Sequence, residues 1–306
     1  MTETTINREY KDRLFTQLFG RSENKAWTLE LYNAVNGSAY SNPDEIEITT
    51  MDDTIYMGMK NDVSFILNDF VNIYEQQSSY NPNMPIRQLS YAGRLYEKHV
   101  KKHSLNVYGR RVVKHPVPKL VVFYNGDDYD AEKEKILYLS DAFDEAVAKE
   151  SDITVRVRMI NINHECNKEL LNECKPLAEY SWFVSEIRKN KNELNLEIED
   201  AVDKAVDEMP EEYLIKPFLK GHRAEVRMGF LTEYDEAEVI AMNRRDAKNE
   251  GLEEGREEGR NNTLISMISK KLLKGMDLES IASELEMEVS DIRPLYDEVC
   301  KMQENA

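Results

Sequence analysis

Leu14, Phe15, Leu18 and Phe19 recur at helical spacing near the start of the chain, which predicts a helix within Tyr10–Asn36 that buries one face. Gly20 interrupts it, and Ala26–Asn36 resumes the pattern until the turn signal Asn36-Gly37. Short β-type runs follow at Glu45–Thr50, Asp62–Leu67 and Phe70–Gln76. After the loop Asn81-Pro82-Asn83, a helix is predicted over Met84–His103. Its apolar Met84, Leu89, Tyr91, Ala92, Leu95 and Tyr96 interleave with Arg87, Arg94 and Lys98. Leu120–Tyr124, closed by Asn125-Gly126, and Thr154–Ile162 read as further strands. From Leu170 the pattern turns helical. Trp182, Phe183 and Ile187 anchor one helix, Leu194–Met209 forms another, and Pro210 and Pro217 mark turns.

The stretch Lys248–Arg260 has a different character, with Gly251, Gly255 and Gly259 at every fourth position among Glu and Arg. Each glycine costs a helix up to about 1 kcal/mol relative to alanine, and charged pairs at helical spacing return part of that. It reads as a charged helix or, the favoured reading, a flexible linker. Beyond it lie three short amphipathic segments, Leu264–Leu273, Leu278–Leu285 and Val289–Val299, the second with Asp277 as N-cap. Their cadence is that of a helix-turn-helix. The alternative is a small bundle used for self-association, and Glu279, Glu284, Glu286, Glu288 and Asp291 favour it because they repel a phosphate backbone.

Composition narrows the class. With 306 residues, 41% hydrophobic and 32% charged, the chain can bury a sizeable core. No apolar run approaches the ~18–20 residues that span a bilayer. The N-terminus lacks the basic start and apolar core of a signal peptide. A cytoplasmic protein without a membrane partner is expected. Cys166, Cys174 and Cys300 are too few and too odd in number for a disulfide framework. His164, Cys166 and Cys174 match no tight zinc spacing, so ordinary reduced thiols are the better reading. The net charge of −18 argues against a generally basic nucleic-acid binder. Between Met84 and Lys119, however, Arg87, Arg94, Lys98, Lys101, Lys102, Arg110, Arg111, Lys114 and Lys119 face a single acid, Glu97. Such a segment suits either a phosphate backbone or a solvated surface.

The run around Asn68-Asp69 carries the chemistry. If those two residues form a hairpin turn, Leu67 faces Phe70 and Asp62 stands opposite Glu75. Opposed residues have Cβ atoms about 4.5–5.5 Å apart on one face, and Gln77 shares the face of Glu75. Two carboxylates so placed repel unless something compensates. A divalent cation such as Mg²⁺ or Mn²⁺ does so, since hard cations take carboxylate oxygens and water. It would also stabilise charge on a phosphodiester. The alternatives are solvated strand ends, or an arginine paired with Glu75.

The order Asp62, turn, Glu75-Gln76-Gln77 resembles the PD-(D/E)XK nucleases, in the variant carried by the Rpn family of recombination-promoting nucleases and transposases. The similarity covers roughly residues 8–145. It includes Tyr10-Lys11-Asp12-Arg13-Leu14-Phe15, Leu18-Phe19-Gly20, Leu31-Tyr32-Asn33-Ala34-Val35-Asn36-Gly37 and Lys60-Asn61-Asp62-Val63-Ser64-Phe65. It continues with Tyr74-Glu75-Gln76-Gln77-Ser78-Ser79, Asn81-Pro82-Asn83-Met84-Pro85-Ile86-Arg87, Phe123-Tyr124-Asn125-Gly126 and Leu139-Ser140-Asp141-Ala142-Phe143.

The resemblance implies an α/β fold with an αβββαβ core followed by helical C-terminal regions. It also implies Mg²⁺-dependent endonucleolytic cleavage of DNA, in recombination or mobile-element biology. By position, Asp62 and Glu75 would be metal ligands and Asp12 a supporting acid of the first helix. Gln77 would occupy the place of the superfamily's lysine. Arg87 would contact phosphate or hold the site together, with Arg94, Lys98, Lys101 and Lys102 continuing toward DNA. The expected organisation is a nuclease-like domain over 1–190, a helical extension over 191–245, a charged helix or linker over 246–262 and a small helical domain over 263–306. Homodimerisation through the C-terminal helices is one expectation. A weak or inactive nuclease fold serving as a DNA-binding or protein-interaction module is the competing function.

Overall fold

The computed structural model describes residues 14–50, 62–127 and 132–304. It is a mixed α/β protein. Helix α1 (Leu14–Phe19) buries Leu14, Phe15, Leu18 and Phe19, and α2 (Lys25–Asn36) follows it closely. The Thr28 hydroxyl ties the two by donating to the Phe19 carbonyl at 2.7 Å. Gly37 ends α2 at φ 61°, a left-handed conformation, and its N–H returns to the Asn33 carbonyl.

Among the described residues, six strands form one sheet in the order β1-β2-β3-β4-β6-β5. They are β1 (Glu47–Ile48), β2 (Val63–Leu67), β3 (Phe70–Gln77), β4 (Val117–Tyr124), β5 (Glu134–Tyr138) and β6 (Arg156–Asn161). The β2–β3 and β5–β6 pairs are antiparallel; β3–β4 and β4–β6 are parallel. Parallel neighbours need a crossover, and α3 (Met84–Lys102) makes it between β3 and β4.

Side-chain alternation assigns each strand two faces. Val63, Phe65, Leu67, Tyr74, Val121, Phe123 and Ile160 point into the larger core with α1, α2 and α5 (Lys175–Leu194). Aromatic contacts run through it: Phe15 meets Phe123 at 5.2 Å and Tyr180 at 5.7 Å, and Tyr74 meets Phe65 and Phe123 at 5.3 Å each. On the other face, Val71 and Ile73 pack against Tyr91, Ala92 and Leu95 of α3. Val122, Tyr124, Leu137 and Met159 gather there with Met84.

The structure adds one strand to those expected. Strand β5 falls between the expected strands Leu120–Tyr124 and Thr154–Ile162, where none was predicted. Its Glu-Lys-Ile-Leu-Tyr sequence lacks clean alternation, and its pairing comes from β6 rather than from local preference. Within the stretch expected to be a helical extension, 191–245, two helices join the core of the first unit. Helix α6 (Ile198–Glu208) and α7 (Lys216–Gly221) put Ala201, Val202, Val206 and Leu219 into the same core as α5. Helix α4 (Lys168–Glu173) precedes α5.

Helix α8 (Arg223–Leu272) runs through Lys248–Arg260 without a break, so the favoured linker reading is corrected to helix. Leucine, glutamate and arginine dominate between the glycines, and their helix propensity outweighs three glycine penalties. The chain divides into two compact units, one through Ala237 and one from Glu238. In the second, α9 (Leu278–Glu284) and α10 (Val289–Glu304) enclose a core of Ile268, Leu278, Ile281, Ala282, Ile292 and Val299. Asp277 caps α9, accepting the Ser280 N–H at 2.9 Å, as its sequence position predicts. Among the described residues, no helix is long and apolar enough to cross a membrane.

Candidate active site

The site is built on the β2–β3 hairpin. Asn68 and Asp69 turn the chain, with Asn68 at φ 50°, a left-handed conformation that asparagine tolerates better than most residues. Leu67 pairs with Phe70 and Val63 with Tyr74, the register expected from the turn. Asp62 and Glu75 therefore flank the last pair, one on each strand. Because Val63 and Tyr74 face the larger core, Glu75 and Gln77 turn with Val71 and Ile73 toward α3.

Asp62 is half-buried. Its Oδ2 accepts the backbone N–H of Gln76 at 2.6 Å, just past the last paired residue of the ladder. That bond fixes one carboxylate oxygen against β3. Glu75 is only 2% exposed. Arg87, in the first turn of α3, meets it: the guanidinium Nη2 donates to Glu75 Oε1 and also to the Tyr91 hydroxyl at 3.2 Å. Desolvating a lone carboxylate costs several kcal/mol, and the arginine offsets that here. Of the alternatives for Glu75, the structure thus contains the arginine pair.

Electrostatics join these groups. Burial opposes the Arg87 charge, but Glu75, Tyr91 and Asp62 outweigh it and hold the guanidinium more firmly protonated than usual. The Tyr91 phenol is pushed up first by burial and then by the negative charge of Glu75. Both groups feel Asp62 as well as Glu75, so the two carboxylates share one neighbourhood with Arg87 and Tyr91. Tyr91 was read only as an apolar helix position. Its spacing of four from Arg87, which puts both side chains on one helix face, is the signal that finds it.

Gln77 lies on the same face but is 7% exposed, and its Nε2 donates to the Met84 sulfur at 2.8 Å. Its carbonyl accepts the Asn125 N–H at 3.0 Å. The adjoining Gly126 is obligatory, because a Cβ there would stand 2.4 Å from the Ser78 carbonyl oxygen. The Asn125-Gly126 signal thus marks the close approach of the ends of β3 and β4. On the opposite face, Gln76 donates to Asn125 at 2.8 Å, and Asn125 bonds to Tyr180 at 3.4 Å. Asp12 lies outside the described residues. Among the described residues, no three His, Cys, Asp or Glu side chains form a metal-holding group.

The basic residues of α3 continue from this site. A helix turns about 100° and rises about 1.5 Å per residue. Arg87, Arg94, Lys98, Lys101 and Lys102 therefore share about 100° of arc over about 22 Å. Arg94 is half-buried and Lys98 exposed. Lys101 pairs with Glu97, and Lys102 with Glu47. These exposed pairs are worth about 0–1 kcal/mol each and yield readily to a phosphate. The C-terminal unit is different: Glu279, Glu284, Glu286, Glu288 and Asp291 are all exposed there. Among the described residues, no disulfide joins Cys166, Cys174 and Cys300.

Comparison with family models, with curated proteins and with solved structures returns no match for this chain.

Proposed function

We propose that this protein is a metal-dependent endodeoxyribonuclease with a PD-(D/E)XK-type core, acting in recombination or mobile-element biology. The observation that carries the reading is the convergence of Asp62 and Glu75 on one sheet face, at the start of a helix whose basic stripe leads away from them. The order α1, α2, β1, β2, β3, α3, β4 supports it, since an αβββαβ core requires that succession.

Two carboxylates in one neighbourhood are a hard-oxygen donor set that fits Mg²⁺ or Mn²⁺. Asp62 and Glu75 would hold the ion. When bound, it supplies Lewis-acid stabilisation of negative charge on a phosphodiester. The chain's own residues do the rest. The Gln76 N–H orients Asp62, Arg87 orients Glu75, and the α3 stripe receives the flanking phosphates. Gln77 is neutral and tied to Met84, so it offers no positive charge to an attacking water.

The competing reading, a weak or inactive nuclease fold retained for binding, has its own support. Arg87 already neutralises Glu75, and the lysine position holds an amide. A plasmid-cleavage assay with Mg²⁺ and Mn²⁺ decides between them. Wild type should nick DNA only with metal, and Asp62→Ala and Glu75→Ala should stop it while the thermal melt persists. Equal cutting by both variants sinks the site assignment. No metal uptake by calorimetry, together with no cutting by wild type, favours the binding module.

A further inference from the structure

The larger-core face of the sheet carries a second like-charged pair, of opposite sign. Val121 of β4 pairs with Arg158 of β6. Two residues earlier on each strand, on the same face, stand Lys119 and Arg156, just beyond the end of the ladder. Both line a cleft of about 370 Å³ that also takes in Asn36 and Arg158. That volume lies within the range of about 300–1,000 Å³ typical of small-molecule sites.

The charges of this cleft are unevenly satisfied. Arg158 is fully engaged: it forks onto Glu134 at 2.8 and 3.0 Å and donates a third bond to the Val35 carbonyl at 3.1 Å. Among the described residues neither Lys119 nor Arg156 forms an ion pair; Glu134, already forked by Arg158, acts on Arg156 through its charge alone. Lys119 lies over the Phe70 ring at 5.1 Å. Like charges side by side on adjacent strands are unfavourable. In a chain of net charge −18 with 58 carboxylates, two adjacent cations on a cleft whose lining holds no carboxylate are conspicuous. An anion removes the repulsion. Arginine presents a planar fork that matches phosphate oxygens, and lysine adds a mobile point charge.

A third feature narrows the ligand. In the β5–β6 ladder, Tyr138 pairs directly with Arg156 and is 43% exposed. An exposed tyrosine beside a phosphate-binding arginine is a platform on which a nucleobase stacks. We infer that this cleft binds a nucleoside monophosphate, its phosphate on Lys119 and Arg156 and its base on Tyr138. That chemistry comes either from a free nucleotide or from the phosphorylated end of a single strand. The site faces away from Asp62 and Glu75, and the inference does not rest on the nuclease reading.

The test is calorimetric titration of the full chain with EDTA present, so that no metal recruits phosphate to the carboxylates. The probes are adenosine monophosphate, adenosine, inorganic phosphate and a short single-stranded oligonucleotide with a terminal phosphate. Adenosine monophosphate should bind, and adenosine should not. The double variant Lys119→Gln, Arg156→Gln should weaken adenosine monophosphate about tenfold or more, as expected for two lost charge-assisted bonds. Tyr138→Ala should weaken the nucleotide several-fold and leave inorganic phosphate unchanged. A thermal melt like that of wild type qualifies each variant as folded. Tighter binding of the oligonucleotide than of adenosine monophosphate identifies a strand end as the source, and the reverse identifies a free nucleotide; both support the site. Failure of wild type to bind any phosphorylated probe at millimolar concentration overturns it, as does unchanged affinity in the double variant.

Discussion

Two places on one sheet put like charges side by side, and they resolve the conflict differently. At one end, Asp62 and Glu75 turn toward α3 and are already served by protein groups: a strand N–H holds one, and Arg87 holds the other. On the opposite face, Lys119 and Arg156 border an open cleft; among the described residues their neighbour Arg158 holds Glu134 in an ion pair and they form none. The first arrangement is preorganised and self-compensated, so a cation must compete with Arg87 to enter. The second is open, and the carboxylate nearest to rivalling an anion, Glu134, is already held by Arg158. Strand register alone makes the two pairs look equivalent. The surrounding hydrogen bonds tell a guarded site from an open one.

The largest effect should come from the guarded side. Glu75→Gln keeps the shape of the side chain and removes its charge. On the proposed nuclease reading, a bound metal would contribute several kcal/mol to the transition state, and each 1.4 kcal/mol is tenfold, so nicking should fall about 10³-fold. Plasmid nicking under single-turnover conditions measures it. A loss below tenfold would remove Glu75 from the reaction.

Next comes the guard itself. If Arg87 occupies the place of a cation, Arg87→Gln should tighten Mn²⁺ binding on the order of tenfold, within the usual coupling range of 1–3 kcal/mol. Calorimetry reads this without reference to cleavage. A weakened or unchanged affinity would mean that Arg87 merely props Glu75 in place. In that case the comparison between guarded and open pairs loses its basis.

How much of this was readable beforehand varies by element. The hairpin was legible because a two-residue loop fixes register, and register fixes which side chains oppose. Helix α3 was legible to within a residue, from Met84 to Lys102 against the expected His103, because Pro82 and Pro85 punctuate its start and its apolar stripe is continuous. Strand β5 was not, since an edge strand takes its identity from a partner far away in the chain. The Arg87–Glu75 pair was foreseen only as one option. Twelve residues separate the partners, and nothing local says which arginine of the helix arrives. The Lys119–Arg156 adjacency was invisible, because it requires knowing that β4 and β6 are parallel neighbours. Gly251, Gly255 and Gly259 misled because each looks like a break in isolation, whereas a helix responds to the sum over the whole window.

Along α3 the expected effects become smaller and more uniform. Lys98 is exposed and aligned with Arg94 on the stripe. Lys98→Ala should weaken binding of a DNA duplex without altering its sequence preference. It should also reduce the slope of log affinity against log salt by about 0.9, the value for one phosphate contact. Fluorescence anisotropy over a salt series measures the slope. An unchanged slope would leave the stripe a solvated surface.

The smallest effect lies at the far end of that helix, where three histidines gather. The His99 ring is 4.5 Å from His103 and 6.1 Å from His115. Burial first, then the charges of His103 and His115, hold His99 below the ordinary imidazole range, with Glu47 pulling the other way. The folded state therefore resists a proton that the unfolded chain accepts near pH ~6.5. Between the two titrations the unfolded state binds more protons, so stability falls as pH drops through about 6.5 and levels off below the folded value. Thermal melts from neutral to mildly acidic pH should show this component in wild type and lose it in His99→Gln. A proton taken up by His99 adds positive charge beside Lys98 and Lys102, so duplex binding should tighten as pH falls while the fold weakens. Opposite signs in the two measurements are the distinguishing outcome. If both moved together, His99 would be responding to the net charge of the whole chain and not to its neighbours on α3.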